Sequence, residues 1–161
     1  MNFDRVLKVA AKGDLNGVKR ILKDNPAILN QPSEGHNRTL LWEAVNANRK
    51  ELAKYLIQQG ADVNIPGRYR AQTYILVKPY CIAHKKKYEA LKKLLIDSGH
   101  QMDIYSIAYL GTETELTQAI KKNKKLINQL QREDKHWKVT PLHFALSGNN
   151  TPAVNLSLIH I

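Results

Sequence analysis

The sequence predicts an all-α fold, an α-solenoid of short stacked helix pairs carrying short β-hairpin fingers. Three observations predict it. A hexapeptide block, Thr140-Pro141-Leu142-His143-Phe144-Ala145, is echoed at residues 39–44 and 78–83. Apolar residues recur at helical spacing in runs too short to bury a face alone. Gly or Asn returns at fixed distances behind each block.

Taking the first residue of each block as a start gives starts at Thr39, Lys78 and Thr140, and phase alone adds Asp4 and Met102. Nine residues on lie Gly13, Asn48, Lys87, Gly111 and Asn149. Twenty-one residues on lie Asn25, Gly60, Gly99 and Asn123. Gly and Asn are the residues that most readily adopt the left-handed backbone closing a helix. Asn30, Asn64, Asp103 and Asn128 follow four or five residues later. Agreement in so many slots identifies a repeat.

Each unit reads as two helices. Phe3, Val6, Leu7 and Ala10 share one face, as do Leu15, Val18, Ile21 and Leu22. Second helices recur around Leu52, Leu56 and Ile57, then Leu91, Leu94 and Leu95, then Leu116, Ala119 and Ile120. Pairs this short must stack to form a continuous core. Starts are 35, 39, 24 and 38 residues apart. The 24-residue step leaves no room for a finger before Ile104, so two groups of helix pairs are expected to join directly there.

Thr-Pro-Leu-His-x-Ala in units of about 33 residues resembles the ankyrin repeat, and Gly60-Ala61-Asp62-Val63-Asn64 is similar to that family's stretch after its second helix. The resemblance gives an array over residues 1–155, with units starting near 4, 39, 78, 102 and 140, the last truncated. It implies a binding module that grips a macromolecule with its fingers and inner helices and performs no catalysis. It also gives His143 a structural role: with Thr140 it stitches the start of a helix, and Pro141 sets the entry turn. Trp42 and Cys81 stand in the His143 slot of their units, a departure that puts the stitching there in question.

Composition narrows the function further. The chain has 161 residues, 25 Lys+Arg against 14 Asp+Glu, and a net charge of +11. That balance suits an acidic partner, a nucleic acid or an anionic membrane surface, but lysine-rich solvated helix faces account for it more simply. The single cysteine, Cys81, forms no internal disulfide framework. Charged residues at Asp4 and Arg5 interrupt any signal-peptide core, and no run reaches the roughly 20 apolar residues of a membrane span. These features point to the cytoplasm, or to export by a signal-independent route. The six histidines show no metal-ligand spacing, no glycine loop is built to cradle phosphate, and every glycine except Gly17 has a place in a repeat, turn or finger. No metal, cofactor or small-molecule substrate is expected. Glu113 and Glu115 stand at a helix start, where acids are favoured. Lys85-Lys86-Lys87 and the Lys121–Lys125 cluster read as solvated faces.

The fingers carry the binding candidates. The second, Asn64 to Val77, holds Arg68, Tyr69, Arg70 and Tyr74; the last, Asn128 to Val139, holds Arg132, His136 and Trp137. Arg, Tyr and Trp dominate binding hot spots, although aromatic residues also pack finger against finger. The flanking Ile75-Leu76-Val77 is expected to be buried. Glu43 and Asn46, on a first helix, are secondary candidates through the resemblance. A rival reading makes the array the targeting portion of a larger enzyme or effector. Leu156-Ser157-Leu158-Ile159-His160-Ile161 resembles the translation of transposase mosaic-end DNA used in sequencing-library preparation, so residues 156–161 are expected to be foreign. Leu156 and Leu158 also fit apolar slots of a second helix.

Overall fold

A computed structural model of the chain describes residues 3–69, 75–131 and 138–159. It contains stacked helix pairs, and its contacts divide it into two compact units: residues 1–68 with 78–101, and residues 69–77 with 102–161.

The first unit holds three pairs: α1 Phe3–Lys12 and α2 Leu15–Asp24, α3 Leu40–Asn46 and α4 Lys50–Gln58, α5 Pro79–Lys85 and α6 Glu89–Asp97. α3 packs on both α1 and α5, and α4 on α6. The resulting core runs from Val6, Ala10 and Val18 through Leu41, Leu52 and Leu56 to Leu91 and Leu95. The second unit holds α7 Ile104–Leu110 with α8 Glu113–Lys122, and α9 Pro141–Ser147 with α10 Thr151–Ile159. α7 packs on α9 and α8 on α10, with the Tyr105 and Phe144 rings 5.0 Å apart in the core. Two short strands lie in the second finger, β1 Gly67–Arg68 and β2 Leu76–Val77. Residues 98–103 contain no strand, and α7 begins at Ile104.

Helices of seven residues leave more than half of their backbone groups without a partner in the same helix. The sequence supplies local closures first. Asn48, at φ 58°, and Arg49 donate to Val45 O and Ala44 O, ending α3. Lys87 and Tyr88 close α5 on His84 O and Ala83 O in the same way, and Asn149 and Asn150 close α9. Gly60 and Gly99, at φ 92° and 90°, close α4 and α6. The other two members of that slot behave differently. Asn25 and Asn123 are not left-handed, with φ of −146° and −153°. Each instead leads extended backbone into a 3-10 turn, at Pro26–Asn30 and Lys124–Asn128. Proline after Asn25 enforces that path, and the Asn123 side chain accepts from Lys125 N to form its turn. Gly17 also gains a reason: its N–H binds the Asp14 cap at 2.8 Å, and a Cβ there would strike that carboxylate and Val9.

Groups left over are satisfied by the neighbouring pair. The last carbonyl region of α1 receives Arg49 Nε at Ala11 O (2.9 Å), and that of α3 receives Lys86 Nζ at Asn46 O (2.7 Å). In the second unit, Asn150 Nδ2 donates to Ala108 O and Gly111 O at the end of α7. Cations are also favoured there by the helix dipole. On the finger side, the Asn30 amide donates to Gly60 O and accepts from Asp62 N, and Asn64 repeats the bridge to Gly99 O and Gln101 N. Asp103, in the same slot, instead caps α7 through Ser106 N.

Lys87 holds φ 58° without the small side chain or glycine backbone that its counterparts use. Lys87→Asn is therefore expected to stabilise the first unit by about 0.5 kcal/mol, and Lys87→Gly by a comparable amount or less. A urea titration in which both variants melt below wild type would contradict that reading.

Candidate functional site

The site is built on the way the first finger grips the second. Residues 33–38 turn sharply: Ser33 N donates to Arg38 O, Asn37 N returns to Ser33 O, and the buried Ser33 hydroxyl accepts from Arg38 N. The tip then takes hold of residues 66–68. Asn37 Nδ2 donates to Pro66 O at 2.7 Å, Arg68 N to His36 O at 2.8 Å, and Arg38 Nε to Arg68 O at 2.7 Å. Both backbone groups of Arg68 are thus fixed by the neighbouring finger. Gly67 lies against the Trp42 indole, where a Cβ would come within 2.9 Å of Nε1.

Arg38 ties this finger to α3. Its guanidinium sits 4.6 Å from the Trp42 ring centre, and its Nη1 binds Glu43 Oε1 at 2.9 Å. Trp42 is fully buried, its N–H taken by the Thr39 hydroxyl. The cap of α3 therefore survives the departure of histidine from this slot, whereas α5, starting after Lys78, has no side-chain cap bond. In α9 the stitching is present: His143 Nδ1 accepts from Thr140 N at 3.1 Å and lies 3.0 Å from the Thr140 hydroxyl.

One helical turn beyond Glu43, on the same stripe of α3, Asn46 presents its carbonyl and its Oδ1 to Lys86 Nζ, at 2.7 and 2.8 Å. Burial lowers the Lys86 pKa from the ordinary 10.5, while the charge of Glu43 pulls it back up. The solvated-face reading of Lys85-Lys86-Lys87 thus holds for its outer members, which are exposed, and fails for the half-buried Lys86. Its stem crosses from α5 to cap α3, a contact over 40 residues that local pattern does not reveal.

The sequence candidates fall into three groups. Arg68 and Tyr69 are half-buried on the second finger, and the Arg68 carbonyl accepts from the Arg38 anchor. Glu43 is only 7% exposed and engaged with Arg38, and Asn46 is half-buried and engaged with Lys86, so both act on neighbouring cations. Arg70, Tyr74, Arg132, His136 and Trp137 lie outside the described residues. Ile75, Leu76 and Val77 are buried.

Sequence reasoning missed Arg38, Lys86 and Gln131. Gln131 is 5% exposed, and its side-chain amide donates to Leu76 O at 2.8 Å and accepts from Leu76 N at 3.2 Å. It imitates a neighbouring strand along β2. Its backbone N–H holds Val139 O at the base of the last finger. Among the described residues, no three His, Cys, Asp or Glu side chains are grouped to hold a metal ion. No helix among them is long and apolar enough to cross a membrane.

Gln131→Leu keeps the volume but leaves the buried Leu76 N–H and C=O without this partner. It is expected to cost about 1–3 kcal/mol, with faster amide exchange at Leu76. Exchange unchanged from wild type would refute the strand-mimic role. For Lys86, the folded pKa lies below that of the unfolded chain, so between the two values the unfolded state binds more protons and stability rises with pH. The penalty on the charged form is present in full below the folded value. A 13Cε titration should show Lys86 losing its proton before a free lysine side chain in the same buffer.

The ankyrin-repeat family model matches residues 36–68. No curated protein matches the chain. The matched segment contains the gripping tip His36–Arg38, the Thr39 cap, the left-handed Asn48 and Gly60, and the bridging Asn64. Residues 36–68 are an ankyrin repeat, and the stacked helix pairs fit an ankyrin-repeat fold.

Proposed function

We propose that this chain is a protein-interaction module that grips its partner through the second finger and the adjoining stripe of α3. It performs no chemistry of its own. Ankyrin repeats are generally non-catalytic protein-interaction modules, and fold alone names no partner. The observation that carries the specific reading is the fixation of Arg68. Its N–H and C=O are both bound by the first finger, so Arg68 and Tyr69 start from a backbone that is already ordered. Preorganisation removes much of the ordering cost of association. Arg and Tyr are the side chains that convert such rigidity into affinity.

In this reading Glu43 and Asn46 position the cations of the face. Arg70, Tyr74, Arg132, His136 and Trp137 stay candidates on the chemistry of their side chains alone.

The test is a comparison of wild type with an Arg68→Ala/Tyr69→Ala double variant against a partner isolated with the full chain. Affinity should fall by about tenfold or more, with the thermal transition of both proteins recorded so that loss of binding is separated from loss of fold. Raising salt should slow association more than it speeds dissociation. Undiminished binding by the double variant would refute the proposed face.

A further inference from the structure

We propose that the end of α8 and the 3-10 turn after it, in the second unit, adsorb to an anionic lipid surface, with a headgroup phosphate seated between Lys121 and Lys124. This goes beyond the protein-binding reading and uses none of its residues. Residues 116–131 contain four lysines, Lys121, Lys122, Lys124 and Lys125, and no Asp or Glu. All four are exposed. Among the described residues, none of the four makes an ion pair, whereas Lys92 and Lys93 on α6 bind Glu89 and Asp97 at 2.9 Å. Glu115 is the nearest acid before them in the sequence. It lies about 9 Å back along the axis of α8, beyond the roughly 8 Å Debye length of physiological salt.

Helix capping accounts for only part of the cluster. Lys121 and Lys122 end α8, where cations favour the dipole. Lys124 opens the turn Lys124–Asn128, the end at which a helix disfavours cations. Lys121 and Lys124 nevertheless border one recess of about 270 Å³, whose other lining residues are Thr117, Ile120 and Ile127. Two ammonium groups and a hydroxyl, all of them hydrogen-bond donors, thus line a recess without an acid. That chemistry suits a phosphate.

Residue types decide among the anionic partners. From 111 to 131 the chain has no arginine and no aromatic residue. Protein hot spots rely on Arg, Tyr and Trp. Nucleic acids are held by the forks of arginine and by aromatic platforms for their bases. A fluid leaflet asks for neither. Its headgroups rearrange around compact charges, and clusters of about four or more lysines attract it.

The experiment is flotation of the full chain with phosphatidylcholine vesicles, with and without phosphatidylserine, at low and physiological salt. A parallel arm offers single-stranded RNA in the same buffers. Wild type is compared with Lys121→Gln/Lys124→Gln and with Lys92→Gln/Lys93→Gln, and thermal transitions are recorded for all three. Both double variants lose the same charge, so an effect of net charge alone would move them equally. Wild type should float only with phosphatidylserine, and less at physiological salt. Lys121→Gln/Lys124→Gln should bind about twentyfold more weakly, and the α6 variant within about twofold of wild type. Arg68→Ala/Tyr69→Ala should float like wild type, so failure here leaves the second-finger face standing. No phosphatidylserine-dependent flotation at either salt would overturn the lipid assignment. So would an equal loss in both lysine variants, a matching loss in Arg68→Ala/Tyr69→Ala, or tighter binding to RNA than to vesicles.

Discussion

The structure depends on one constraint: a helix of two turns cannot satisfy its own ends. α3, α5, α7 and α9 are each seven residues long, and the first four N–H and last four C=O groups of any helix lack partners within it. Many of the positions that mark the repeat answer that demand. Thr39, Asp103, Thr112 and Thr140 serve the N-terminal ends. Asn48, Lys87 and Asn149 turn the backbone so that amides return to the last carbonyls. What remains, such as Asn46 O, is reached by a side chain from the next pair. Apolar burial supplies most of the driving force for stacking, but these bonds fix the register in which the pairs stack.

The same device explains why structure and binding chemistry are hard to separate here. Lys86 is a capping residue for α3 and also one of the cations of the candidate face. Arg38 braces the first finger, covers Trp42 and neutralises Glu43 with a single guanidinium. Side chains with so many bonds are well ordered before any partner arrives, and the rigidity of the face is a by-product of repairing short helices.

What could be read from the sequence follows from the range of each interaction. The fold was legible because its marks are local: Gly60 and Gly99 close helices within their own turns, and the Thr140–His143 stitch spans three residues. The slot shared by Asn30 and Asn64 was visible as a recurrence, although its meaning, an amide bridge to the following unit, was not. Asn25 and Asn123 misled because their residue type permits a left-handed turn without requiring it, and the 3-10 turns that follow decide otherwise. Arg68 and Tyr69 were proposed from their residue types and their place in a finger, where the structure has both half-buried. Arg38 and Lys86 were passed over because a lysine or arginine looks solvated until its partner is known, and the bond from Lys86 to Asn46 crosses 40 residues. Gln131 carried no mark at all: its partner Leu76 is 55 residues away.

The bridging asparagines and the capping cations run in opposite directions along the first unit. Asn30 and Asn64 reach forward, supporting the turn of the pair that follows, while Arg49 and Lys86 reach back to the helix of the pair before. Each helix pair is therefore both creditor and debtor to its neighbours. Duplicating one pair from start to start would preserve the forward amide but place the backward cation against a helix end it was not matched to. The heritable unit of such an array is thus not the repeat as its boundaries are drawn, but the junction between two of them. Lineages that lengthen or shorten it are expected to do so in steps that carry both halves of a junction together.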